Sequence, residues 1–490
     1  MTTARTTEPR TAPGGESIPG GQTTAPVETV GSDAAPVATP DRHTAPVDTT
    51  TRRPDVDTTT RRPDVDTTTR RPDVDTTTRG PDVDTTTRGP DVAAVPRASW
   101  PRTAVTRAVV RHALRELPLR ARFGGAEPVG RGGPLLEVRD PGGFHARVGT
   151  HGLVGFGESY MAGEWDAPDL VAVLTVLAGH AADLVPAPLQ RLRALWAPRH
   201  PHEERNTPDG SRANISRHYD LSNDLFALFL DDTLTYSSAL FRGFPANWDL
   251  LAAAQHRKID RLLDLADVGE GTRLLEIGTG WGELALRAAA RGARVTSLTL
   301  SREQRALARE RVRAAGLDER VSIELCDYRE ARGTYDAVVS VEMIEAVGAE
   351  FWPVYFRALD ARLAPGGRAA LQAITMPHER MVATRSTFTW IHKYVFPGGL
   401  IPSTRAIEET VRDHTRLRPA RRDGFGAHYA ETLRLWRERF TERAEEVEAL
   451  GFDETFRRLW TFYLAYSEAG FRSGYLDVQQ YLFTKGNPAR

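Results

Sequence analysis

Arg273-Leu-Leu-Glu-Ile-Gly-Thr-Gly-Trp-Gly-Glu-Leu284 runs from an apolar strand pattern through three closely spaced glycines into an Ala- and Leu-rich helical pattern. It reads as strand, tight turn, helix. Gly278, Gly280 and Gly282 remove the Cβ atoms that would hold a ligand off the backbone, and the helix behind them offers its first amides, so the loop suits a nucleoside. The spacing alone also serves dinucleotides, phosphates and plain packing. Residues downstream of the loop narrow the choice. A second strand, Arg294-Val-Thr-Ser-Leu-Thr-Leu300, stands about 20 residues on, where a dinucleotide site would end in an acidic ribose partner. Here it ends in Thr299, Leu300 and Ser301. Gln304 on the next helix, and Cys326-Asp-Tyr-Arg329 after a third strand, Val321-Ser-Ile-Glu-Leu325, complete the outline of an adenosine pocket.

Glu276 to Gly282, Leu298 to Gln304 and Asp327 to Arg329 resemble the S-adenosylmethionine site of class I methyltransferases. Four further blocks are similar to the cyclopropane-fatty-acyl-phospholipid synthase and mycolic-acid methyltransferase family: His218-Tyr-Asp-Leu-Ser-Asn-Asp-Leu-Phe226, Tyr236-Ser237, Ser340-Val-Glu-Met-Ile-Glu-Ala-Val-Gly348 and Lys393-Tyr-Val-Phe-Pro-Gly-Gly399. Their number and order make the resemblance specific. It implies an α/β, class I S-adenosylmethionine-dependent methyltransferase with a Rossmann-like, mainly parallel sheet and S-adenosyl-L-methionine as cofactor. In the implied cofactor set, Gly278, Thr279, Gly280, Trp281 and Gly282 face the methionine part, Gln304 the ribose, and Tyr328 with Arg329 the adenine. Tyr236 and Ser237 close over it, and Glu276, Thr299, Leu300, Ser301 and Asp327 complete the wall.

The implied reaction methylates the double bond of an unsaturated phospholipid acyl chain. Such a nucleophile needs no activating base, but attack on the sulfonium methyl leaves a carbocation, so the site has to be dry and able to remove one proton afterwards. Aromatic faces stabilise cationic charge. The candidates are Tyr236, Phe241, Trp281, Phe388, Trp390, Tyr394 and Phe396, with core packing as the alternative role of each. The resemblance also implies bicarbonate as the base, held by Glu345, by Tyr429 of Phe425-Gly-Ala-His-Tyr429 and by the backbone of Ile374. Gln372 and Ser238 stand where the family has histidine and cysteine, and both can still hydrogen-bond an anion. Glutamine does not titrate as histidine does, so a proton relay through position 372 is lost.

From one carbocation, loss of a proton from the new methyl closes a cyclopropane, whereas a hydride shift before proton loss gives an exocyclic methylene. Leu371-Gln-Ala-Ile-Thr-Met376, residues 390–403, Tyr429-Ala-Glu-Thr-Leu-Arg-Leu-Trp436 and Phe471-Arg-Ser-Gly-Tyr475 look closest to the branch making 10-methylene, tuberculostearic-type fatty acids. Cyclopropane formation, a non-catalytic lipid-binding protein and a small-molecule O- or N-methyltransferase are the alternatives.

Around these blocks the chain divides into four segments. Residues 1–99 are rich in Thr, Pro, Arg, Asp and Gly and carry nonapeptide repeats, Thr-Thr-Thr-Arg-(Arg/Gly)-Pro-Asp-Val-Asp, beginning at Thr49, Thr58, Thr67, Thr76 and Thr85. Each repeat sets a proline against helix and a lone valine where no core can gather, which predicts disorder. Residues 100–185 predict a small α+β domain, with an amphipathic helix from Trp100 to Leu117 and strands at Leu135-Leu-Glu-Val138 and His145-Ala-Arg-Val148. Gly155-Phe-Gly-Glu-Ser-Tyr-Met-Ala-Gly-Glu-Trp165 follows, then a helical run from Asp169 to Leu177; the Gly-Glu-Ser-Tyr-Met stretch resembles the amino-terminal domain of long cyclopropane synthases, where it implies docking and assembly. Residues 186–205 read as a Pro- and Arg-rich linker, in which 189–196 fit a lipid-facing amphipathic helix and a plain linker equally. Residues 206–490 carry the catalytic domain, with fourth and fifth strands at Tyr335-Asp-Ala-Val-Val-Ser-Val341 and Arg368-Ala-Ala-Leu-Gln-Ala-Ile374. Alternating strands and helices predict a mainly parallel sheet covered on both faces, with ligands beyond the carboxyl ends of its strands.

The 490 residues, 26% charged and 40% apolar, suffice for two or three domains. A net charge of −1 gives nucleic-acid binding no support. The one cysteine, Cys326, excludes a disulfide framework and a multi-cysteine metal site, and no metal is expected. Neither a signal-peptide core nor a membrane-spanning run is legible, so the expectation is a cytoplasmic enzyme at the inner face of the membrane, taking acyl chains from its surface. Homodimerisation is left open, and a methylene product would call for a partner reductase.

Overall fold

The computed structural model describes residues 92, 94–180, 206–207, 210 and 222–486. Residues 1–91 of the predicted tail, the whole predicted linker 186–205, and residues 218–221 of the His218–Phe226 block lie outside the described residues. Val92, placed in the tail by composition, is buried, and its carbonyl accepts a hydrogen bond from Arg147 at 2.5 Å. Packed chain therefore begins ahead of Trp100.

The amino-terminal region opens with the helix Trp100–Glu116 and continues through β1 (Arg120–Phe123), β2 (Val129–Gly130), β3 (Leu135–Val138) and β4 (Trp165–Asp166), which form a sheet in the order β2-β1-β3-β4. The predicted strand at His145–Val148 is instead part of the helix Pro141–His151. The two glycines at 142 and 143 disguise its start. Asp140 caps it, its carboxylate accepting from the amides of Gly142 and Gly143, with Pro141 at the first helical position.

The Gly-Phe-Gly-Glu-Ser-Tyr-Met run forms the helix Leu153–Met161. Its Glu158 is buried and accepts from Lys393 Nζ (2.5 Å) and Tyr394 OH (2.8 Å), which belong to a block more than 200 residues away. A Cβ at Gly157 would lie 2.4 Å from the Trp390 ring, so only glycine lets this helix seat against Trp390. Arg458, on the helix Glu454–Arg472, donates to the Tyr160 and Trp165 carbonyls. The two regions thus share one apolar core, in which Phe156 and Trp165 meet Phe462 edge-on and Tyr160 packs against it at a tilt.

The larger sheet is built from β5 (Arg273–Ile277), β6 (Arg294–Thr299), β7 (Val321–Leu325), β8 (Tyr335–Val341) and β9 (Leu363–Thr375), all paired in parallel. Leu274, Leu275 and Ile277 of the central β5 are all buried, as a strand covered on both faces requires. Two strands absent from the sequence reading extend one edge: β10 (Leu417–Gly424) and β11 (Asp477–Lys485), antiparallel to each other, with β11 antiparallel to β9. The order is β10-β11-β9-β8-β5-β6-β7. β10 carries Pro419 and three arginines and breaks register at Pro419, the composition of a protected edge. β11 sets Gln480 directly across from Gln372 of β9, inside the protein.

Candidate functional site

The glycine loop sits at the carboxyl end of β5. Gly278 has φ +97°, and a Cβ there would stand 2.6 Å from Met343 Cγ, so position 278 accepts glycine alone. Its amide and that of Thr279 both donate to Leu298 O, tying the turn to β6. Gly282, at φ +92°, caps the helix Glu283–Ala290 and packs against Ala308 of the helix Arg302–Ala314.

Around this loop lies a cavity. Of the fifteen residues in the implied cofactor set, Tyr236, Ser237, Glu276, Gly278, Thr279, Gly280, Trp281, Thr299, Leu300, Gln304 and Tyr328 line it. The other four stand behind. Gly282 shapes the turn, and Ser301 caps the helix Arg302–Ala314 by accepting from the Gln304 amide at 3.2 Å. The buried Asp327 carboxylate holds Arg329 by its amide, Nε and NH2 at 2.6–2.9 Å, with the guanidinium 5.3 Å from the centre of the Tyr328 ring. Thr299 Oγ1 donates to Gln304 Oε1 at 3.1 Å and so fixes the amide at the wall.

The aromatic candidates separate into two groups. Tyr236 and Trp281 line the cavity: Tyr236 OH pairs with Tyr463 OH at 2.7 Å, and Trp281 Nε1 donates to Asn223 at 2.8 Å. Trp390 and Tyr394 face the amino-terminal region, through Met161 Sδ and Glu158. Phe241 packs on His428, Phe388 on His392 and Phe396 on Tyr463.

Among the cavity residues that the sequence reading did not single out are Lys258 and Glu342. Lys258 lies on the buried face of the helix Leu251–Leu265, in step with Leu251, Ala254 and Leu262. A lysine inside an apolar stripe was the available signal. Its Nζ donates to Ser237 Oγ at 2.6 Å, and Gln255, one turn earlier, donates to the Thr235 and Ser237 carbonyls. Together they anchor the Tyr236–Ser237 segment. Burial pulls the Lys258 ammonium down to about 8, against the opposing charges of Glu342, Asp231 and Glu276. Burial likewise pushes the Glu276 carboxyl up to about 8, against the Ser297 hydroxyl and Lys258.

Glu342 follows β8 and has φ +51°, a left-handed conformation rare for a non-glycine residue. Its amide donates to Gln372 O at 2.8 Å. Its carboxylate takes three donors: the Ser238 amide at 3.0 Å, Gln372 Nε2 at 2.8 Å and Tyr429 OH at 2.7 Å. Gln372 is itself oriented, since Gln480 Nε2 donates to its Oε1 at 2.9 Å and Arg261 Nε donates to Gln480 Oε1 at 2.6 Å. Glu345, the acid that the resemblance singles out, accepts from the Ile374 amide at 2.5 Å, and its other oxygen is buried with no hydrogen bond.

The five residues implied for bicarbonate therefore do converge, but around carboxylates of the chain. Burial raises both acids. For Glu342 the rise is opposed by Lys258 and by the Gln372, Tyr429 and Ser238 donors, whereas the charge of Glu342 adds to that of burial in lifting Glu345 to about 8. Lys258 and the three donors favour the carboxylate form at Glu342, whereas at Glu345 burial and the Glu342 charge both favour the neutral acid.

Residues 206–481 match the mycolic acid cyclopropane synthetase family. The tuberculostearic acid methyltransferase UfaA1 of Mycobacterium tuberculosis is 55% identical over 407 residues, 81% of this chain and 95% of that protein. The cyclopropane-fatty-acyl-phospholipid synthase of Escherichia coli is 35% identical over 356 residues, covering 72% of this chain and 88% of its own. Among solved structures, the mycolic acid cyclopropane synthase CmaA1 complexed with SAH and CTAB is 30% identical and matches with a TM-score of 0.51 over 58% of this chain and 99% of that one. With a glycine-loop cavity at the carboxyl ends of parallel strands and a matched region spanning all five of those strands, the chain belongs to the mycolic acid cyclopropane synthetase family.

Proposed function

We propose that this protein is an S-adenosylmethionine-dependent C-methyltransferase that acts on the double bond of unsaturated phospholipid acyl chains and releases a 10-methylene fatty acyl product. The observation that carries this reading is the 55% identity to a tuberculostearic acid methyltransferase across 95% of that protein's length. The cavity suits the cofactor: Gly278 brings bare backbone to its floor, and Thr299, Gln304 and Tyr328 furnish polar and aromatic walls. S-adenosylmethionine bound there supplies a methyl group on a sulfonium that departs as a neutral thioether.

The chain's own residues supply the rest. Lys258 and Gln255 hold the Tyr236–Ser237 segment at the cavity wall, and the buried Phe226, Phe229, Trp281 and Trp436 pack around Tyr236 or beside it to keep water out. A buried carboxylate at the cavity edge suits removal of a proton after methyl transfer rather than before it.

Acyl chains have to come from a lipid surface. No helix among the described residues is long and apolar enough to cross a membrane. Trp100 is 83% exposed and Leu153 63% exposed, and Arg102 beside the first donates to the Gly149 and Thr150 carbonyls beside the second, which favours a peripheral position on a lipid surface. A methylene product retains a reducible double bond, so the reading includes a partner reductase.

The test is incubation with S-adenosylmethionine and oleoyl-phospholipid vesicles, followed by proton NMR of the released fatty acids. Vinylidene hydrogens are expected. Cyclopropyl hydrogens would assign the second reading, favoured by the 35% identity to the E. coli synthase, and an unchanged acyl pool would refute both.

A further inference from the structure

We propose that Glu342 is the proton acceptor of this site, a carboxylate built into the chain where the family resemblance puts a free bicarbonate ion. The inference rests on the acyl-methyltransferase reading above.

Bicarbonate and a glutamate carboxylate present the same planar pair of oxygens to their donors. Here those donors are already engaged. The Ser238 amide, Gln372 Nε2 and Tyr429 OH all point at Glu342, the second N–H of Gln372 goes to Ser238 O, and the Ile374 amide goes to Glu345. A second anion would have to displace Glu342 or stand beside two acids with no donor from this set. The five residues therefore do not fit free bicarbonate.

The backbone supports the same assignment. A non-glycine residue persists at φ +51° only where its surroundings over-determine it, and such positions gather at functional sites. Glu342 is held by its amide, by three donors on its carboxylate and by the charge of Lys258, yet it still lines the cofactor cavity beside Gly278 and Met343. Each restraint fixes the residue at the wall of that cavity.

The step balances without another reagent. The π pair of the acyl chain forms the new carbon–carbon bond as the carbon–sulfur bond breaks with its pair left on sulfur, and the positive charge passes to the acyl chain. A hydride shift moves that charge to the carbon bearing the new methyl. The pair of one methyl C–H bond then becomes the methylene π bond, and its proton passes to a Glu342 oxygen, giving a neutral carboxylic acid. Gln372 and Tyr429 act as positioning residues, because both donate to Glu342.

Two variants and a binding measurement test this. Glu342→Gly suits the left-handed backbone and empties the donor cradle; Glu342→Gln keeps the shape and removes the base. In bicarbonate-free buffer, wild-type turnover is expected to be unchanged by added bicarbonate, while both variants lose at least a hundredfold with S-adenosylmethionine affinity retained by calorimetry. Added bicarbonate or formate is expected to restore Glu342→Gly and not Glu342→Gln. Carbon-13 NMR of labelled bicarbonate is expected to detect binding to Glu342→Gly alone. Bicarbonate binding to wild type, a bicarbonate requirement in wild type, or full turnover by Glu342→Gln would each overturn the proposal. If wild type methylates no acyl chain, the function reading falls by itself, and the NMR comparison still decides whether Glu342 occupies the anion site.

Discussion

Gln480→Met removes one link from the chain Arg261–Gln480–Gln372–Glu342 while nearly conserving volume. Gln480 is fully buried on β11, opposite Gln372, and sits outside the cofactor cavity. Its Nε2 donates to Gln372 Oε1 at 2.9 Å and to Lys258 O at 3.3 Å, and its Oε1 accepts from Arg261. The substitution orphans Gln372 Oε1 in the interior, at a cost of about 1–3 kcal/mol, and takes an acceptor from a half-buried guanidinium, costing about 1.5–3 kcal/mol more. Because these groups form one network, the two losses will not simply add. The functional effect comes from orientation. With Gln480 in place, the Gln372 amide can only present its N–H groups towards Glu342; without it, the amide is free to turn its oxygen there. Loss of one charge-assisted hydrogen bond of about 1.5–3 kcal/mol translates into a kcat lowered roughly ten- to a hundredfold. Denaturant unfolding reads the stability, vesicle turnover the kcat, and calorimetry the cofactor affinity, which should be unchanged along with KM. A destabilised variant with wild-type kcat would refute the positioning role, and unchanged stability would refute the hydrogen-bond chain itself.

Two further outcomes concern buried groups. Gly157→Ala should lower the thermal midpoint, since a Cβ 2.4 Å from the Trp390 ring overpacks the seam by about 1–3 kcal/mol and outweighs the gain of about 1 kcal/mol in helix propensity; a midpoint at or above wild type would show that the seam yields. Glu345, raised to about 8 by burial, keeps a proton in the folded state that an ordinary carboxyl loses near pH 4.5, so its contribution to stability is whole below that value and fades as pH rises through about 8. Glu345→Gln can still accept from the Ile374 amide and has no proton to lose, so its stability relative to wild type should rise between pH 6 and 9, by up to about 1.4 kcal/mol per pH unit below the folded pKa. Urea unfolding across that range checks it, and parallel pH dependences would contradict the assignment of Glu345 as the neutral acid.

The cofactor side of the site was legible because its signals are local. Glycines with positive φ, a cap serine at 301 and apolar strands buried on both faces are properties of a few consecutive residues, and they survive in a single sequence. The helix Pro141–His151 was misread for the converse reason: its start signal, Asp140-Pro141, was outweighed by two glycines whose amides the cap in fact uses. β10 and β11 were missed because an arginine-rich edge and a strand separated from it by two long helices carry no period that sets them apart from loop or amphipathic surface.

Glu342 was hidden at a different level. Ser340-Val-Glu-Met-Ile-Glu345 contains two acids three apart, and strand alternation would assign their faces if β8 continued. It ends at Val341, and the left-handed turn at Glu342 breaks the alternation, sending one carboxylate to Ser238, Gln372 and Tyr429 and the other to Ile374. The donors come from three other parts of the chain, so nothing near residue 342 in sequence reports them. The same geometry explains how glutamine serves at position 372. A titrating side chain there would compete with Glu342 for the departing proton, whereas an amide pinned by Gln480 only donates to the carboxylate. A substitution that looks like a lost relay in the sequence is, in the fold, the partner that a built-in carboxylate requires.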